Sequence, residues 1–160
     1  MVAFFLTGPI VYSNYCQGQD SLVYQFKPKV SPRADNGYVH PLFFRIKLPA
    51  GLLHSYSSGF DSFGFLYPDK QVIYVYLNRL SQNVRDTSYL VPGDDEIDRL
   101  LLDDLNTVNS SSKLDIDNNP FDPKRGTWLI KRGKATILLY NIRKENMTRF
   151  LRFAGSFTFI

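Results

Sequence analysis

Two histidines, one cysteine and a scatter of carboxylates are the residues with which this 160-residue chain could do chemistry. His40 and His54 would have to converge with carboxylates to hold zinc. A small hydrolase would need one of them within hydrogen-bond reach of an Asp or Glu. Asp61 and Asp69 lie near a predicted hairpin, and nothing in their spacing selects them as an acid–base pair. Asp115, Asp117 and Asn119 alternate in LDIDNNPFD as at the opening of an EF-hand loop. Pro120 and Gly126 stand where that loop requires its glycine and its bidentate glutamate. Residues 115–122 therefore read as a solvated loop rich in Asx turns, with a looser calcium site as the alternative. Ser57-Ser58-Gly59 lacks the leading glycine of a nucleophile elbow and reads as part of a turn. The chain has no dinucleotide-binding glycine pattern and no phosphate loop, so no cofactor, metal or catalytic residue is assigned.

Binding is better signposted than catalysis. Aromatic residues make up 15% of the chain, with 13 Phe and 10 Tyr, a bias that favours strands. Residues 60–66 and Gln71–Leu77 flank Tyr67-Pro68-Asp69-Lys70, which suits a type I turn with Pro at its second position. The exposed side of this hairpin, drawn from Phe63, Phe65, Tyr67, Tyr74 and Tyr76, is the expected ligand-binding surface. Charge is divided along the chain. Residues 86–122 hold ten acidic and two basic side chains, whereas residues 124–152 hold nine basic and one acidic. Such a division could steer a charged partner. Nucleic acid is disfavoured, because a net charge of +4 is mild and few exposed rings interleave with the bases.

The elements that would carry these residues follow from periodicity. Ser21–Phe26 alternates Leu22, Tyr24 and Phe26 on one face, a short strand. In PLFFRIKL (41–48), Leu42, Phe44, Ile46 and Leu48 point one way and Arg45 and Lys47 the other. QVIYVYL (71–77) is apolar on both faces and belongs in a sheet interior. Residues 78–91 look polar and irregular. Asp94, Asp95 and Glu96 then open a helix with Ile97, Leu100, Leu101 and Leu105 along one stripe, running to 105. Strands at 126–131 and 134–141 are joined through Arg132-Gly133, and Lys144–Ala154 reads as a helix with Arg149 and Arg152 outside. Gly155 ends it and 156–160 is a closing strand. The expected fold is a single α+β domain over residues 19–160, a mainly antiparallel sheet of five to seven strands carrying two principal helices.

The compartment rests on the opening MVAFFLTGPIVYSNYCQGQD. Residues 2–12 form an apolar run and Cys16-Gln17-Gly18 a small-x-small cleavage site, so residues 1–18 are expected to be a signal-peptide remnant of an exported protein. The basic start is missing, and the alternative is an N-terminal strand over 2–7. Cys16 is the only cysteine, so there is no internal disulfide and no thiolate cluster. No window is long and apolar enough for a membrane-spanning helix.

Residues 137–160 (ILLYNIRKENMTRFLRFAGSFTFI) place a long strand, an amphipathic helix and a short Ser-Phe strand in succession. That stretch resembles the C-terminal end of the PsbP/Mog1-like family, and Leu48-Pro49-Ala50-Gly51 is similar to its strand-ending LP-x-G. The resemblance implies an antiparallel sheet with helices on its faces and includes exported accessory and binding proteins. The expected function is thus a non-enzymatic exported protein that binds a protein or small ligand. The alternatives are a cytosolic interaction protein of the toxin-neutralising type, acting through the acidic helix and loop, or a small hydrolase.

Overall fold

The computed structural model describes residues 21–27, 42–58, 61–78, 84–91 and 122–160. Within them the strands are β1 (Ser21–Phe26), β2 (Phe44–Pro49), β3 (His54–Ser58), β4 (Ser62–Tyr67), β5 (Gln71–Leu77) and β6 (Val84–Val91). They are followed by β7 (Arg125–Gly133), β8 (Ala135–Arg143), helix α1 (Lys144–Ala154) and β9 (Thr158–Phe159). A small sheet runs β1-β2-β9 and a large one β3-β4-β5-β8-β7-β6, every pair antiparallel.

Alternation on the small sheet decides how the two sheets meet. Tyr24, Phe26, Phe44, Ile46 and Leu48 are buried, while Arg45 and Lys47 are exposed. The buried set packs on Phe63, Phe65, Ile73, Val75 and Ile137 of the large sheet in one core, which α1 completes with Phe150 and Ala154. Its centre is aromatic. Phe63 meets Phe26 at 4.5 Å and Phe44 at 4.9 Å between centroids, and Tyr24 meets Phe65 edge-on at 4.8 Å. Each such pair adds about 0.5–1.5 kcal/mol beyond the apolar area it buries. The opposite face of the large sheet is also closed in its middle, with Val72, Tyr74, Leu129 and Leu138 buried. The doubly apolar β5 accordingly lies between β4 and β8 in the sheet interior.

This architecture overturns the expected fold class. The described residues form two antiparallel sheets with a single helix, not one sheet of five to seven strands under two principal helices. The face of Phe63 and Phe65, which the sequence offered to the ligand-binding surface, instead meets the rings of a second sheet. Two polar segments are also strands. HSYSS forms β3, and VRDTSYLV, within the stretch that looked irregular, forms β6. Both are edges of the large sheet, and an edge strand has no need of an alternating apolar pattern. The predicted helix at 94–105 lies outside the described residues.

The β4–β5 connection departs from a type I turn. Tyr67 pairs with Gln71, leaving three residues in the loop, and Asp69 and Lys70 both adopt left-handed backbone with φ of 60° and 58°. Hydrogen bonds from other elements hold it. Arg125 Nη1 donates to the Asp69 carbonyl at 2.7 Å, and Asn141 Nδ2 donates to the Lys70 carbonyl at 3.1 Å.

Gly64 is required by close approach. Tyr56 on β3 lies across it, and a Cβ at position 64 would fall 1.9 Å from the ring's Cζ. Because the obstruction is the far end of a side chain, Gly64→Ala is expected to displace Tyr56 at a cost of about 1–3 kcal/mol. The same substitution in a Tyr56→Ala background should cost far less, as urea denaturation of the four proteins would measure. Equal costs in both backgrounds would show that the ring does not impose the glycine.

Candidate functional site

Inward packing of the small sheet leaves its other side a distinct surface. Paired residues of an antiparallel ladder share a face, so Val23 lies beside Lys47, and Arg45 lies between Gln25 and Thr158. Phe43 and Ile160 extend that face, joined by the Ile160 N–H donating to the Phe43 carbonyl at 3.1 Å. Lys27 follows β1 and is exposed. Helix α1 adds to the same layer, since it packs on the same core and lies against β2.

Three contacts hold the helix there. β9 pairs with β2 only at Phe44 and Arg45. At the next position that could accept a ladder partner, the Lys47 N–H donates instead to Ser156 Oγ at 2.7 Å. Ser156 Oγ in turn donates to the Phe153 carbonyl at 2.6 Å, closing the end of the helix. Arg149 Nη2 reaches the Ala50 carbonyl at 3.4 Å. Arg152 lies over the ring of Phe153, 4.9 Å from its centroid, which restricts the guanidinium before any partner arrives.

The cations of this face can be set against the ion pairs made elsewhere among the described residues. Elsewhere three of the four described arginines are matched, and Arg85 on β6 is not. Arg132 pairs with Asp86 at 2.8 Å, Arg125 with Asp122 at 3.3 Å, and Arg143 with both Asp69 and Glu145. The Arg132 hydrogen bond, then that from the Gly133 N–H, holds the Asp86 carboxyl below the ordinary carboxylate range. At Asp122 the Lys124 N–H is the leading cause of a similar depression. Asp86 and Asp122 bound the acidic stretch of the sequence, so its two ends are tied to the basic segment that follows. Lys27, Arg45, Lys47, Arg149 and Arg152 make no ion pair among the described residues, as is also true of Arg85, Lys131, Lys134 and Lys144; what sets the five apart is that they gather on one layer. The one acidic residue of α1, Glu145, sits in its first turn against Arg143.

The aromatic residues singled out from the sequence do not share one surface. Phe63, Phe65 and Tyr67 face the core between the sheets, and Tyr74 is buried on the opposite face with its hydroxyl donating to Ser62 Oγ at 2.9 Å. Tyr76, at 38% exposure, is the one of the five open to solvent. Burial pushes the Tyr67 hydroxyl well above the ordinary tyrosine range, opposed in part by the nearby Arg149 charge. Burial likewise raises Tyr24 to about 12.

A second polar cluster surrounds the left-handed turn. Asn141, itself at φ 54°, joins it, and Gln71 Oε1 accepts from the Arg143 N–H and from Asn146 Nδ2, both at 3.1 Å. Its side chains are spent on one another and on backbone carbonyls, which marks it as a structural brace. His54 is exposed on β3 and makes no ion pair with a carboxylate among the described residues. His40, Cys16 and residues 115–121 lie outside them. Among the described residues no three His, Cys, Asp or Glu side chains group to hold a metal, and no helix is long and apolar enough to cross a membrane. Compared with family models, curated proteins and solved structures, the chain matches none.

Sequence reasoning placed Arg45 and Lys47 outside a strand, and Arg149 and Arg152 outside a helix. That the two sets adjoin depends on contacts about a hundred residues apart in the chain, such as Lys47 to Ser156. Ser156→Ala is expected to lower stability by about 0.5–1.5 kcal/mol. It should also speed hydrogen exchange at the Lys47 amide more than at Ile46. Unchanged exchange at Lys47 would show that Ser156 does not tie the helix end to β2.

Proposed function

We propose that this chain is a binding protein that takes an anionic partner on the outer face of the small sheet and helix α1. One observation carries the reading: Arg45, Lys47, Arg149 and Arg152 gather on one layer and make no ion pair among the described residues, whereas Arg125, Arg132 and Arg143 are each paired and the unpaired Arg85 stands apart on β6. Unpaired cations on a preformed surface raise the local concentration of an anion and speed its encounter. The restraint of Arg149 and Arg152 by Ala50 and Phe153 lowers the side-chain entropy lost on binding. Export of the protein belongs to the same proposal, supported by the apolar run at 2–12 and the small-x-small site after it.

The test compares two variants of equal net charge. Arg45→Glu with Lys47→Glu reverses the proposed face. Lys131→Glu with Lys134→Glu reverses the tip of the β7–β8 hairpin, the other concentration of bases. Titration with polyglutamate at low salt should show the first variant weakened by more than about tenfold and the second by less than about threefold. Equal losses in the two variants would show that binding follows net charge and not this face.

A further inference from the structure

The binding face is not purely basic. Val23 is 45% exposed beside Lys47, and Ile160 is 48% exposed beside the half-buried Phe43. These side chains are held out by the alternation that turns Tyr24, Phe26 and Phe44 inward, so the small sheet cannot hide them without exposing its core face. Aliphatic groups gain nothing from a soluble polyanion such as a polynucleotide, which would call instead for exposed rings on which bases stack; Phe43 is half-buried, and the exposed Phe159 lies on the opposite side of β9 with Phe44. They do gain from a layer that is anionic at its surface and apolar beneath, where cations sit among headgroups while apolar side chains enter the acyl boundary. The cations are also spread along it. Two paired strands and the helix beside them carry cations at both ends, Lys27 after β1 and Arg149 and Arg152 on α1.

Resting on the reading of this face as an anion-binding surface, we infer that its partner is the surface of an anionic lipid bilayer, to which the protein docks peripherally. Arg45, Lys47, Arg149 and Arg152 would meet the headgroup phosphates and carboxylates, with Val23 and Ile160 entering between them. Each cation near such a surface strengthens binding by about fivefold, so partition should rise steeply with anionic-lipid content and fall with salt.

The experiment is co-sedimentation of the full chain with vesicles of phosphatidylcholine alone, or with about 30% phosphatidylserine, at roughly 0.1 M and 0.5 M salt. A polyglutamate titration and a single-stranded oligonucleotide titration run alongside. Binding is expected only to the anionic vesicles, reduced more than about tenfold by Arg45→Glu with Lys47→Glu. Val23→Ser with Ile160→Ser should weaken vesicle binding several-fold and polyglutamate binding by a clearly smaller factor; equal losses would overturn the lipid inference. Thermal unfolding of each variant separates lost binding from lost structure. Polyglutamate binding at this face without vesicle binding would overturn the lipid inference and leave the anion-binding reading standing. Preference for the oligonucleotide would overturn it in favour of a nucleic-acid surface. Binding to none of the three would overturn both.

Discussion

The contact between the rings of β1 and β2 and those of β4 is the constraint on which the rest depends. Tyr24, Phe26 and Phe44 can meet Phe63 and Phe65 only if the small sheet turns its even-numbered positions inward. Side chains in a strand alternate strictly, so the same choice sends Val23, Gln25, Arg45 and Lys47 outward. A slip of one residue would bury two cations and expose three rings. The composition of the outer face is thus a consequence of packing the inner one.

Around that contact the chain is closed by elements that each answer a local need. The central strands β5 and β8 are covered on both faces, which is why their sequences are apolar at successive positions. Helix α1 takes up the space beside β2 that the two-residue β9 leaves open, and Ser156 supplies the hydrogen bond that a longer strand would have made. At the other end of the helix, Gln71 and Asn141 bind the β4–β5 turn to β8 and α1. Left-handed backbone at Asp69, Lys70 and Asn141 costs about 1 kcal/mol or more per residue, which those bonds offset.

Legibility in the sequence followed burial. β1, β2, β5 and α1 were readable from alternation or helical spacing, because each has one environment per face. The polar edge strands β3 and β6 were not, since nothing on their exposed sides demands a pattern. Division into two sheets was hidden for another reason. An aromatic face such as Phe63-Phe65-Tyr67 requires a cover, but its pattern is the same whether a helix or a second sheet supplies it. The turn at 68–70 is not legible because Pro68 fits the second position of several turns, and only the Tyr67–Gln71 register chooses among them. Of the binding face, each half was visible separately, as Arg45 and Lys47 outside a strand and Arg149 and Arg152 outside a helix. Their meeting was not visible, since it is made by tertiary contacts alone.

Whether these halves act as one surface can be read residue by residue. Backbone amide shifts of the 15N-labelled full chain, followed as a soluble polyanion is added at low salt, report where the anion sits. The expected result is a continuous set of perturbed amides across residues 23–27, 43–47 and 149–152, with the β7–β8 hairpin tip unaffected. Perturbation centred on residues 131–134, with the small sheet silent, would contradict the account.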